Sequence, residues 1–204
     1  MPKIWSQTIE AHRDAVREAT IDATASLVAA HGLTGVTMSQ IAKDTGIGRA
    51  TLYKYFPDVE SILRAWHERQ IDHHLQELLK VRDKTTGAAE RLEDVLTAYA
   101  KATSHRRAHG DDLSGILHRG EYVAAAHQQL HEFLRDLIAD AAAAGAVRQD
   151  TPADELALYC VHALAAATSL HDPTAVERLV QTTLTGLGPS SAGSRKRRSR
   201  NATS

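Results

Sequence analysis

The residues best suited to bind another molecule are concentrated between positions 48 and 55. Arginine can donate two hydrogen bonds to guanine, and threonine or tyrosine can contact a phosphate or a thymine methyl group. Arg49 is expected to contact a base, and Lys54 is either a phosphate contact or a solvated surface charge. The residues expected to contact DNA here are Gly48, Arg49, Ala50, Thr51, Tyr53, Lys54 and Tyr55.

These residues belong to the second of two short predicted helices. Thr37 is the expected N-cap of the first helix, and both Thr37 and Ser39 are candidate phosphate contacts. Gly46 falls where the chain must turn sharply, and Pro57 ends the second helix. In that helix Ala50 and Leu52 are expected to face inward, although Ala50 could still touch a thymine methyl group. The pattern predicts a helix-turn-helix.

The sequence resembles the DNA-binding segment of tetracycline-repressor (TetR) type regulators over about residues 13 to 66. The resemblance rests on V-T-x-x-x-I-A from residue 36, G-I from residue 46 and A-T-L-Y-K-Y-F-P from residue 50. It implies a homodimer that binds a palindromic double-stranded DNA operator, represses transcription and is released by a small-molecule effector. It also implies a phosphate-binding role for Tyr55. Many relatives carry a phosphate-binding lysine where this chain has Val59.

The rest of the chain reads as all-α, with about nine helices in total. The expected domains are a DNA-binding domain over residues 1–57, a helical ligand-binding and dimerisation domain over residues 58–187, and a disordered basic tail over residues 188–204. Asp58, Thr151 and Asp172 are the expected N-caps of later helices. A short helix is also expected around Leu113 to Leu117.

The last two predicted helices, about residues 153–170 and 173–187, are expected to form the dimer interface. Their outward apolar residues are predicted to be Ala163, Ala166, Ala167, Val176, Leu179, Val180, Leu184 and Leu187. The resemblance also implies an effector pocket built from inward polar or aromatic side chains. The candidates for this pocket are Trp66, Tyr99, His118, Tyr122, Tyr159 and His162.

Composition favours a soluble helical protein of the cytoplasm. Aromatic residues make up only 4% of the chain, and the single cysteine, Cys160, excludes an internal disulfide. No apolar run is long enough for a membrane span, and the N-terminus does not read as a signal peptide. The tail holds five cations, which leaves 19 cations against 25 acids in residues 1–194. An acidic body is unexpected for a DNA-binding protein.

Other functions remain open alternatives on the sequence alone. The pairs His127/His131 and His105/His109 have the i, i+4 spacing of metal ligands, which would suit a metal-responsive regulator. A helical protein-interaction module with a weakened DNA-binding head is another alternative, motivated by the acidic body and by Val59. No cofactor and no enzyme activity are predicted, because no catalytic motif is recognised.

Overall fold

The computed structural model describes residues 3–32, 35–106 and 121–189, and within these ranges the secondary structure is helical, with no strand. The all-α prediction is therefore confirmed. The helices are α1 (Lys3–His31), α2 (Met38–Thr45), α3 (Arg49–Tyr55), α4 (Val59–Lys84), α5 (Ala88–Arg106), α6 (Glu121–Ala143), α7 (Ala153–Ala165) and α8 (Pro173–Leu187), with a 3₁₀ turn at Ala166–Ser169. The predicted helix around Leu113 and the basic tail beyond Pro189 lie outside the described residues. None of the described helices is both long and apolar enough to cross a membrane.

The described residues fall into two compact units. The first holds the residues up to His73 together with 121–123, and the second holds those from His74 to 106 and from Ala124 onward. The division lies inside α4, whereas the sequence placed a domain boundary at the start of this helix. It lies there because the first two turns of α4 contribute Ile62 and Ala65 to the core of the first unit.

The first unit is built around a small apolar core under α2 and α3. Ile21, Ile41, Leu52 and Ile62 are fully buried in it. Thr20 is fully buried as well, and its hydroxyl donates to the backbone carbonyl of an earlier α1 residue at 2.7 Å. The buried hydroxyl group is therefore satisfied within its own helix.

The second unit packs α5 against α7, α8 and the 3₁₀ turn. Ala167, Val176, Val180 and Leu187 were predicted to face outward, but all four are buried in the core of this unit. That part of the prediction was wrong, because the 3₁₀ turn and α8 pack against α5 and these side chains join the core formed there. Leu179 and Leu184 are half-buried against the same core.

Of the three N-caps predicted for the later helices, two are confirmed. Asp58 and Asp172 accept backbone N–H groups of α4 and α8 at 2.7 and 2.9 Å. Thr151 does not cap α7: Pro152 occupies the N-cap position without a side-chain hydrogen bond. The Thr151 hydroxyl instead lies 3.4 Å from the carboxylate of Asp150.

Candidate nucleic-acid interface

The start of α2 is fixed by a reciprocal pair of hydrogen bonds. The hydroxyl of Thr37 accepts the backbone N–H of Gln40 at 3.3 Å, and the Gln40 side-chain oxygen accepts the backbone N–H of Thr37 at 2.9 Å. The N-cap prediction is confirmed. The spacing of threonine and glutamine was a signal for this capping box that the sequence interpretation missed. Thr37 and Ser39 are both exposed at this helix start.

The turn between α2 and α3 requires glycine at one position. Gly46 has a φ of 69°, in the left-handed region that disfavours a side chain. Thr45 then accepts the backbone N–H of Ile47 at 3.3 Å, and the Ile47 side chain packs half-buried against the core of the first unit. These contacts set the angle at which α3 leaves the turn.

Helix α3 separates a buried anchor from an exposed face. Leu52 is fully buried, while Tyr53 is 47% exposed and Arg49, Thr51 and Lys54 are exposed as well. The helix begins at Gly48, whose carbonyl accepts the N–H groups of the third and fourth residues that follow it. The structure therefore places the predicted polar side chains of this helix on its solvent side.

One residue of α3 departs from the predicted orientation. Ala50 is exposed, although it was expected to face inward with Leu52. Residues two apart in an α-helix lie on nearly opposite sides, so Ala50 and Leu52 cannot share a face. Tyr55 was expected to be available outward, and it is half-buried, because its ring packs against the core of the first unit.

The surface charge is positive on α2 and α3 and negative at the start of α4. Lys43, Arg49 and Lys54 are exposed cations on α2 and α3. Asp58 caps α4 and Glu60 lies in its first turn, where Glu60 is paired with an arginine one turn later at 3.1 Å. The face of α3 is therefore the part of this helix-turn-helix best suited to a polyanion.

Two of the proposed effector-binding residues lie in the first unit. Trp66 packs half-buried against its apolar core. Tyr122 is 36% exposed, and its hydroxyl donates a short hydrogen bond to the carboxylate of Asp72. Burial and this hydrogen bond raise the pKa of Tyr122 to about 12, so the phenol is protonated at neutral pH.

The remaining candidates do not come together in the second unit. Tyr99 is buried in its core, but Tyr159 and His162, which were expected to face inward, are exposed on α7. The Tyr159 hydroxyl lies over the backbone of Gly186 on α8, where an added Cβ would approach it to 2.8 Å. His118 lies outside the described residues.

A polar cleft of about 320 Å³ lies where α4 gives way to α5, and its lining contains none of these candidates. The lining residues are Arg82, Asp83, Thr85, Thr86 and Arg91. Arg91 donates to the backbone carbonyls of Thr85 and Thr86 at 3.0 and 3.2 Å. Because this guanidinium already holds the α4–α5 turn, its role in the cleft is structural.

The thiol, imidazole and carboxylate groups do not form a metal-binding cluster in the described part of the chain. Cys160 is fully buried, and burial raises the pKa of its thiol to about 12. The thiolate needed for redox chemistry is therefore absent at neutral pH. His131 uses one ring nitrogen to contact the backbone carbonyl of Asp154 at 3.1 Å.

Comparison with known proteins gives two family profiles and a set of structural neighbours. Residues 21–66 match the profile of bacterial regulatory proteins of the tetR family, and residues 88–189 match the C-terminal domain of SbtR-like transcriptional regulators. No curated protein matches the chain.

Solved structures resemble it over most of their length. A TetR/AcrR-family regulator from Thermobifida fusca has a TM-score of 0.75 and 17% identity, covering 84% of this chain and 98% of that one. FadR from Bacillus subtilis, in complex with stearoyl-CoA, has a TM-score of 0.65 and 15% identity over 83% and 98% of the two chains. AibR, in complex with isovaleryl coenzyme A and operator DNA, has a TM-score of 0.61 and 18% identity over 84% and 97%.

At these identities the solved structures establish the fold alone. The two family profiles together span most of the chain, from the helix-turn-helix to the last helix. The chain therefore belongs to the tetR family of bacterial regulatory proteins, which are DNA-binding regulators of transcription.

Proposed function

We propose that the protein is a homodimeric repressor that leaves a palindromic operator when a small molecule binds. The observation that carries this proposal is the exposed face of α3, held by fully buried Leu52 and a capped α2. A rigid helix with an arginine near its start is suited to the major groove. The protein would act without catalysis, in the cytoplasm, where it meets the operator.

The proposed contacts follow from position and chemistry. Arg49 lies at the start of α3 and reads a base edge, whereas Tyr55, half-buried beside the core, binds a phosphate through its hydroxyl. The remaining residues near the duplex are proposed to contact phosphates or thymine methyl groups, or to allow close approach of the backbone: Thr37, Ser39, Gly48, Ala50, Thr51, Tyr53 and Lys54.

Dimerisation is proposed through one continuous surface of α7 and α8. Leu158 and Tyr159 are 52% and 42% exposed, although both are large and hydrophobic. His162 and Ala166 are exposed one and two turns further along. The Tyr159 hydroxyl against Gly186 joins this face to α8. Two copies paired through this surface would present two reading helices to the DNA. In a palindromic operator the two half-sites that these helices contact lie about 34–36 Å apart.

The proposed effector is a small molecule received by the second unit, with acyl-coenzyme A thioesters as the first class to test. Two structural neighbours were solved with such thioesters. Tyr99 is the candidate that the core of the second unit buries. Effector binding would favour an arrangement of the reading heads that no longer fits the operator.

The decisive experiment is selection of bound duplexes from a random library, followed by salt titration of the enriched sequence. We expect a palindromic site and a steep loss of affinity with salt. Isovaleryl-CoA and stearoyl-CoA are then added to the complex, with free coenzyme A as the control.

The outcomes separate the parts of the proposal. Failure of a folded dimer to enrich any duplex would contradict operator binding and favour a protein-interaction role. Enrichment of a single, non-repeated site would contradict the symmetric dimer. If isovaleryl-CoA and stearoyl-CoA leave the duplex bound, as free coenzyme A does, these two thioesters are excluded as effectors while operator binding stands.

A further inference from the structure

An arginine from α1 lies at the end of the reading helix. The Arg17 guanidinium is 5.8 Å from the centroid of the Phe56 ring, and Phe56 directly follows α3. The ring is 4% exposed, so it offers a fixed face, whereas the Arg17 side chain remains 44% exposed. The aromatic contact thus positions a cation that is still open to solvent.

In a complex with DNA, the location of Arg17 at the end of α3 would bring its guanidinium within reach of the DNA backbone. Helix α3 has seven residues, which corresponds to a length of roughly 10 Å. A recognition helix contacts base edges through its N-terminal residues, so the C-terminal end of so short a helix lies toward the phosphates that border the groove. Arg17 lies at that end.

The charges around Arg17 leave its cation available. Its nearest acid, Glu18, is 3.7 Å away, but Arg69 of α4 contacts the same carboxylate at 2.5 Å. Arg69 also contacts Asp22 at 2.6 Å, so α4 neutralises the two acids that come next after Arg17 along α1. The start of α4 supplies no cation of its own, since half-buried Val59 stands between two acidic residues.

We propose that Arg17 binds a phosphate of the duplex beside the reading helix, with Phe56 orienting its guanidinium and Arg69 removing the competing carboxylates. The inference rests on the duplex binding proposed above. Each phosphate contact by a cation contributes about 0.9 to the slope of log affinity against log salt. Arg17 therefore makes a measurable contribution to this salt-dependence slope for each bound protomer.

The test is a salt titration of Arg17→Gln and Arg17→Lys between about 50 and 200 mM salt. We expect Arg17→Gln to reduce the slope by about 0.9 per protomer and to weaken binding several-fold on every duplex sequence. Arg17→Lys keeps the charge and is expected to retain the slope. The matched control is Arg82→Gln, because Arg82 lies 5.7 Å from the centroid of the Phe133 ring in the second unit. This control is expected to leave both affinity and slope unchanged.

The result that overturns the proposal is an unchanged slope in folded Arg17→Gln. A loss of affinity by both Arg17 variants with the native slope would overturn it too, since that pattern indicates a packing role. The slope is also measured on a non-specific duplex at low salt. If no operator is ever found, the symmetric repressor fails as a proposal, while the Arg17 contact is still tested.

Discussion

The base-reading role proposed for Arg49 leads to a prediction at the scale of one residue. Its side chain is exposed at the first position of α3, where a guanidinium can reach a base edge. Arg49→Ala is expected to cost about 1–3 kcal/mol of operator binding and to relax the preference at one base pair per half-site. Competition between duplexes that differ at single base pairs measures both the loss of affinity and the relaxed preference. Equal weakening on all sequences would identify Arg49 as a phosphate contact instead.

The two glycines that flank Ile47 are expected to respond differently to the same substitution. Gly46→Ser is expected to lower the free energy of unfolding by about 1–2 kcal/mol, since its φ of 69° strains any side chain. Gly48 has a φ of −59°, and an added Cβ would meet nothing closer than an oxygen at 4.0 Å. Gly48→Ser is therefore expected to leave stability unchanged or slightly raised, because serine is a good N-cap.

Chemical denaturation of both variants provides the comparison. Equal destabilisation would show that the turn geometry differs from the one described. If Gly48→Ser is stable but binds the operator less well, the glycine is needed for close approach of the backbone to DNA rather than for folding.

At the scale of the element, the cap of α8 gives a pH-dependent prediction. The hydrogen bonds that Asp172 accepts from Thr174, with the nearby charge of Arg178, lower the pKa of the Asp172 carboxyl. A lowered folded-state pKa stabilises the fold above the ordinary aspartate value, and this is lost as pH falls through the folded value. Asp172→Ala is thus expected to lower the unfolding temperature at neutral pH.

The same variant should approach the native protein when both are measured in acid, below the folded pKa of Asp172. Thermal unfolding at a series of pH values tests this. A difference in unfolding temperature that is constant with pH would show that the charge of Asp172 adds nothing to the cap.

The ion pairs between α1 and α4 give a second prediction at the scale of the element. Arg69 bridges Glu18 and Asp22 with a side chain that is 31% exposed. Arg69→Gln is expected to destabilise the first unit by about 1 kcal/mol, the size typical of a partly exposed network. Adding Glu18→Gln and Asp22→Asn removes the carboxylates that have lost Arg69 and should recover part of this loss. Additive losses in the combined variant would show that the three residues do not act together.

At the scale of the whole molecule, the proposed dimer is tested at Leu158, the more exposed of the two large hydrophobic side chains on the surface of α7. Leu158→Glu would place a carboxylate inside the proposed interface, where it has no partner. We expect the mass in solution to fall to one protomer and operator binding to be lost with it. Ala139→Glu adds a carboxylate at an exposed position of α6 and serves as the control. A dimer that persists in Leu158→Glu would move the interface elsewhere.

The sequence predicted local features well because their causes are local. Thr37, Asp58 and Asp172 cap helices through atoms a few residues away, and Gly46 adopts the conformation that its missing Cβ permits. The Thr151 cap was wrong because Pro152 took the N-cap position instead. Sequence patterns of N-cap residues therefore predict the first residue of a helix to within one or two positions.

Contacts between distant positions were not predictable in the same way. Arg17 over Phe56, and Arg69 between Glu18 and Asp22, join residues about 40 to 50 positions apart. No periodicity within one helix indicates which charge of another helix will face it. Tyr159 and His162 were expected to face inward but are exposed on α7 for the same reason: an aromatic residue in a helical stretch does not reveal which neighbour it will pack against.

The sequence alone therefore determined the family, the all-α class and the position of the helix-turn-helix, since these follow from short motifs and helix periodicity. Only the tertiary structure decided which face of α7 and α8 is open. An apolar stripe can cover either its own core or a second protomer, and both need the same residue types. Here Val176, Val180 and Leu187 are buried in the core that includes α5, whereas Leu158 and Tyr159 remain exposed. That choice depends on how the helices pack in three dimensions.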